Sequence, residues 1–231
     1  MNVKKILALC AATALVVLVP VGAALAAGGP AVTVRVEGVK RTLLLPTLVR
    51  PGSGSITRYG APKGACSAKS GQGALDVATH HRWRGIWSTQ FGPEYEITSI
   101  LGEAHTFSSK YFWEIFVDHV AATSGACELK VQAGEQLLFA AVPQAGTEYP
   151  LGLIAAHNVL GGRSFTVKVV RYNAAGKPKP LAGATVTGRG VHAVTNKRGI
   201  ATITAPHAGT LVLHADHKGY IRAAPEAVVV S

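Results

Sequence analysis

Apolar and polar positions alternate from Ala31 to Glu37, where valines at 32, 34 and 36 interleave with Thr33, Arg35 and Glu37. A period of two marks a strand with one buried face. The pattern predicts a second strand from about Arg41 to Val49, which Pro46 confines to a sheet edge or a bulge. After the Gly- and Ser-rich stretch PGSGSITRYGAPKGACSAKSG, the period shifts and predicts a short helix from about Gln72 to Arg82. Strands are expected again at Tyr95 to Leu101 and Tyr111 to Val117. A closing hairpin is expected from Glu128 to Val131 and Gln136 to Val142, turning at Ala133-Gly134. Two strands, a helix and more strands predict an α+β, β-grasp-like domain over residues 31–143.

Residues 144–163 are low in charge and broken by Gly and Pro, and read as a linker. Six β-rich runs follow: Ser164 to Tyr172, Ala184 to Gly188, His192 to Thr195, Ala201 to Ala205, Thr210 to Ala215 and Ala227 to Val230. Breaks such as Asn196-Lys197-Arg198-Gly199 and Lys218-Gly219 separate them, which predicts an all-β, Ig-like sandwich over residues 164–231.

The N-terminus changes the setting. Two lysines lie within Met1 to Lys5, an apolar run covers Ile6 to Val19, and Ala24-Leu25-Ala26 has the A-x-A form of a cleavage site. This predicts a signal peptide over residues 1–26 and a secreted, envelope-associated protein that meets the membrane only through that segment before cleavage. An uncleaved anchor is the rival, since Ile6 to Ala27 is long enough to span a bilayer. A lipoprotein reading through Cys10 has Leu9 where a small residue is wanted. Cleavage takes Lys4, Lys5 and Cys10 with it, so the formal charge falls from +11 by two, to +9. Two cysteines then remain in an exported chain, and they predict a disulfide from Cys66 to Cys127.

The positive charge is uneven. Residues 31–143 hold 11 basic and 9 acidic side chains, while residues 164–231 hold 9 and 2. The basic residues are scattered among strand-like runs without aromatic interleaving, so nucleic acid is not the expected partner. Non-specific attraction to an anionic cell envelope is.

Both parts resemble known families. Val32 to Gly38, Ala74-Leu75-Asp76-Val77-Ala78, Tyr95 to Ile100, Tyr111 to Val117, Gly125 and Gly134-Glu135 follow in the order of the transcobalamin-like C-terminal domain, a bacterial β-grasp-like family. Asp118-His119 stands where that family has Asn-Gly, the pair that suits a tight hairpin turn. Glu135 stands where an Asp is usual. Pro180 to Val186, Thr195 to Gly199, Gly209-Thr210-Leu211 and Lys218-Gly219-Tyr220 resemble the carboxypeptidase regulatory-like and bacterial Ig-like sandwiches related to transthyretin. The resemblances imply a β-grasp fold followed by a spacer or adhesive sandwich without catalytic residues.

The stretch YFWEIFVDH, residues 111–119, has the richest chemistry. On a strand, Tyr111, Trp113, Ile115 and Val117 face the core, while Phe112, Glu114, Phe116 and Asp118 share the other face. Those four are the candidate ligand-binding residues, a shelf where carboxylates orient a flat or sugar-like ligand. The plainer reading buries the two Phe rings under a loop and leaves the carboxylates in solvent.

Other side chains offer less. His80-His81 are adjacent on a helix and point apart, and His214-Ala215-Asp216-His217 lacks further ligands, so no metal site is expected. No nucleophile elbow, phosphate loop or dinucleotide motif occurs, so no catalytic residue or cofactor is assigned. Glu94 and Glu96, two apart on a strand, keep a paired-carboxylate hydrolase of envelope polymers open. The expected function is a non-enzymatic binding or adhesive protein whose partner is an envelope component or a small-molecule ligand. A soluble small-molecule carrier, cobalamin-like by family resemblance, is the alternative.

Overall fold

The computed structural model describes residues 28–231 apart from 91 and 206. The signal segment and Cys10 lie outside the described residues. Among those described, no helix is long and apolar enough to cross a membrane.

The N-terminal half runs β1 (Val32–Glu37), β2 (Thr42–Val49), α1 (Gly71–Ala78), β3 (Trp83–Ser88), β4 (Glu94–Ile100), β5 (Glu103–Ala104), β6 (Tyr111–Val117), β7 (Val120–Ala121) and β8 (Gln136–Pro143). The main sheet has the order β2-β1-β8-β6-β7, and β3-β4-β5 form a smaller one. The valines of β1 lie in the core as their alternation requires. Around them pack Leu75 of α1, Trp83, Ile100, Trp113 and Phe139.

Strand dominates, and the chain belongs to the all-β class, which corrects the α+β reading. Three local outcomes explain the difference. The helix spans eight residues, capped by the Ser70 hydroxyl accepting from the Gly73 amide. It stops early because His80 and His81 take positive φ, which a right-handed helix cannot continue. Trp83 to Ser88, to which the sequence pattern assigns no element, is a strand paired with β4. The expected hairpin with Glu128 to Val131 does not form. The partner of β8 there is β1, in parallel, with Val34 opposite Leu137.

The second half runs β9 (Tyr149–Ile154), β10 (Asn158–Val159), β11 (Ser164–Tyr172), β12 (Pro178–Pro180), β13 (Thr185–Gly188), β14 (Val191–Val194), β15 (Ile200–Thr204), β16 (Gly209–Asp216), β17 (Tyr220–Ile221) and β18 (Glu226–Val230). Its sheets have the orders β10-β18-β16-β13-β14 and β12-β11-β9-β17, with β15 also on β11. Leu153, Val169, Val186, Leu213 and Val228 share the core between them. The segment expected as a linker is part of this structure. β9 pairs with β11, and its Leu151 and Leu153 are buried. The Gly and Pro of QAGTEYPLG hid that alternation.

The two halves meet on a built joint. Phe116, Leu138, Ala140 and Val142 of the main sheet pack with Ile221 of β17. Beside them the Glu37 carboxylate, 2% exposed, accepts from Arg35 at 2.8 Å and lies 3.0 Å from Arg222 of the second half. Burial lowers the Arg35 pKa, and the neighbouring Glu37 opposes that shift. His119 stacks on Tyr172 with ring centroids 3.6 Å apart. Burial and then Arg35 push the His119 pKa down.

The Cys66–Cys127 disulfide, spanning 61 positions, ties the loop before α1 to the segment after β7.

Candidate functional site

A cleft of about 200 Å³ opens between β4 and β6. Its floor follows from how β6 is paired. β8 occupies one edge along the whole strand, but β7 covers only Phe116 and Val117 on the other. The Ala122 amide adds one bond to the Ile115 carbonyl. The rest of that edge borders the cleft. Alternation on β4 turns Tyr95 and Ile97 into the core and leaves Glu94 and Glu96 half-exposed at the mouth.

Three carboxylates therefore line one small space: Glu94, Glu96 and Glu114. Burial raises the pKa of Glu94, with Glu128 adding to the effect. Burial also raises that of Glu114, partly offset by a backbone hydrogen bond from Ile115. Glu96 accepts from the Phe107 amide at 3.1 Å, which fixes the loop that carries the exposed Phe107 ring. That ring lies 5.9 Å from Phe112, and the two form an apolar lip. Trp113 lines the cleft as well, and among the described residues its buried indole N–H meets no acceptor. Gly125 is needed opposite: a Cβ there would overlap the Glu94 carboxyl, which lies directly over the backbone.

Among the described residues, no Lys, Arg or His lines the cleft. It offers acceptors and aromatic surface, an environment that favours a donor-rich or cationic guest. Among the described residues, no three His, Cys, Asp or Glu side chains converge as metal ligands.

The four residues expected as a shelf are divided. Phe112 and Glu114 line the cleft. Phe116 is 2% exposed and belongs to the joint with the second half, so it faces no ligand. Asp118 sits in the turn after β6, accepting from the Gln136 amide at 2.9 Å. Alternation placed all four on one face, but that face is shared out between the cleft, the joint and a turn. The turn itself is tight despite lacking Asn-Gly. Asp118 and His119 have φ of 46° and 73° and join Val117 to Val120, the two-residue form with both centres left-handed. The stack on Tyr172 holds His119 there.

Sequence reasoning missed Phe107, Trp113 and Gly125 as site residues. Glu94 and Glu96 were noticed as a pair, but nothing in their spacing showed that Glu114 stands across from them.

No family model matches the chain, and no curated protein matches it.

Proposed function

We propose that the protein is an exported binding protein whose cleft takes an amine-bearing ring compound, such as an aminosugar unit of an envelope polymer. The observation that carries this reading is the set of three carboxylates in a partly desolvated cleft that, among the described residues, has no cationic side chain in its lining. A carboxylate whose charge is disfavoured by burial gains most from a cationic partner. The Phe107 and Phe112 rings supply the flat apolar surface that a ring packs on. The disulfide is compatible with an oxidising, extracellular setting. The signal-peptide reading of residues 1–26 supports the same location. The resemblance to the transcobalamin-like domain supports a binding role as well, without naming the ligand.

The test is calorimetric titration with glucosamine oligomers and, as the neutral arm, N-acetylglucosamine oligomers. The expected result is binding of the cationic series, weakened roughly tenfold or more by Glu94→Gln or Glu114→Gln, about the 1.4 kcal/mol of one charge-assisted contact. Asp118→Asn should leave it unchanged. Equal binding of both series would remove the charge argument. Accumulation of shorter oligomers would show a hydrolase in place of a binding protein.

A further inference from the structure

On the side of β3 away from the cleft, a second pocket of about 340 Å³ has the opposite character. Arg58, Arg82, Arg84 and His81 line it, together with the Ser99 side chain and the rings of Tyr59 and Trp83. Among the described residues, no carboxylate lines it. Asp76, which lies beneath, is the nearest acidic partner: it holds Arg58 at 3.3 Å and His81 at 2.7 Å and accepts from the Trp83 indole at 2.6 Å. Its charge is thus spent on one rim. Among the described residues, Arg82 and Arg84 come within ion-pair distance of no carboxylate. Within the same set the Arg82 side chain makes a single hydrogen bond, from Nε to the Thr79 carbonyl at 3.3 Å.

The pocket is built rather than incidental. Arg58 lies over the Tyr59 and Trp83 rings at 5.0 and 5.4 Å, which holds its guanidinium plane at the rim. The Tyr59 hydroxyl donates to the Trp83 carbonyl at 2.6 Å, and that of Tyr95 to the Arg58 carbonyl at 2.7 Å. Trp83 is 1% exposed, so the base is rigid. Four non-glycine residues around it, Tyr59, His80, His81 and Leu101, adopt left-handed backbone. Such conformations are uncommon outside glycine and gather at ligand clamps.

Planar guanidinium forks on a rigid aromatic base, with a hydroxyl beside them, match the oxygens of a tetrahedral oxyanion. We infer that this pocket binds a phosphoryl or sulfuryl group, independently of whatever occupies the acidic cleft. Arg82 and Arg84 would supply the two uncommitted charges, with Arg58 and Ser99 completing the ring of donors.

The test titrates the full mature chain with pyrophosphate, glycerol phosphate and sulfate at ionic strength held constant with NaCl. The readouts are calorimetry and the NMR signal of the Trp83 indole N–H. The expected result is saturable binding that moves that signal and falls at least tenfold in the double variant Arg82→Ala/Arg84→Ala. Both side chains are exposed, so the variant should fold, which its circular dichroism checks. Preference for glycerol phosphate over pyrophosphate would mark an esterified phosphate as the source, and the reverse a free one. A control double variant, Lys168→Ala/Arg171→Ala, removes two exposed charges from the other half and should bind as wild type does. The inference is overturned if both double variants lose affinity equally, since net charge alone would then explain the binding, or if no anion moves the Trp83 signal.

Discussion

Replacing Glu37 with glutamine tests the ionic centre of the joint. The wild-type carboxylate has Arg35 at 2.8 Å, the Thr42 hydroxyl at 2.9 Å and Arg222 at 3.0 Å, and is 2% exposed. Removing one member of a buried ion pair costs about 3–5 kcal/mol, because the surviving charge stays buried without compensation. The two survivors differ here. The Arg35 side chain is 8% exposed and trapped within β1, and its remaining bond is to the Arg222 carbonyl at 2.9 Å. The Arg222 side chain is 27% exposed and keeps the carbonyls of Gly38 and Val39. Nearly all the loss should come from Arg35, which places the expected cost near the lower end, about 3 kcal/mol. Replacing both charges, Arg35→Met with Glu37→Leu, should restore most of that stability, since the apolar pair leaves no fully buried ion and Arg222, partly exposed, keeps its two carbonyls. Urea denaturation read by tryptophan fluorescence and far-ultraviolet circular dichroism measures both variants. The three tryptophans, 83, 87 and 113, all lie in the first half, whereas dichroism reports both. Coincident transitions are expected if the joint couples the halves. A Glu37→Gln cost under about 1 kcal/mol, the range of an exposed pair, would refute the reasoning.

Glu114→Gln should raise the melting temperature at pH 7 while weakening ligand binding. The folded-state pKa of Glu114 lies above its usual value of 4.5, so the stability it contributes is present in acid and is lost as pH rises through the folded value. The gain from the variant should therefore vanish near pH 4, and melts at the two pH values check this; a gain that persists in acid would contradict it. Gly125→Ala should displace the Glu94 carboxyl and reduce affinity for glucosamine oligomers while the fold survives, because the overlapping atoms are the end of a flexible side chain. Unchanged affinity in the titration would take Glu94 out of the site. Cys66→Ser with Cys127→Ser should cost about 4 kcal/mol, the loop-closure estimate for a sequence separation of 61. An unchanged urea midpoint on reducing the wild type would argue against that estimate.

Much of the strand layout was legible because alternation reports burial directly. β1, β4 and β6 lie within a residue or so of where their patterns place them. The disulfide was legible from cysteine arithmetic once the export reading set Cys10 aside. What the pattern could not carry was partnership. Nothing local in Gln136 to Pro143 distinguishes a hairpin from a parallel pairing with β1, and its nearly unbroken burial arises because it lies between β1 and β6. β9 was hidden because glycine and proline read as loop whatever the register of the leucines between them. In the site, Glu114 and Phe112 were found from their own strand, but Phe107 and Gly125 come from connections whose composition marks only turns. Phe116 shows the limit most plainly: the face opposite a core is exposed only if no second layer covers it, and here Ile221 does.

The parallel contact between β1 and β8 also sets the order of events as the chain is made. Thr33 pairs with Gln136 and Glu37 with Ala140, so a chain made N-terminus first carries one side of its main sheet as a lone β1–β2 ribbon, marginal by itself, until its partner arrives some hundred residues later. Assembly that awaits so distant a segment is slow. The joint waits longer still, for Ile221 and Arg222 near the end of the chain.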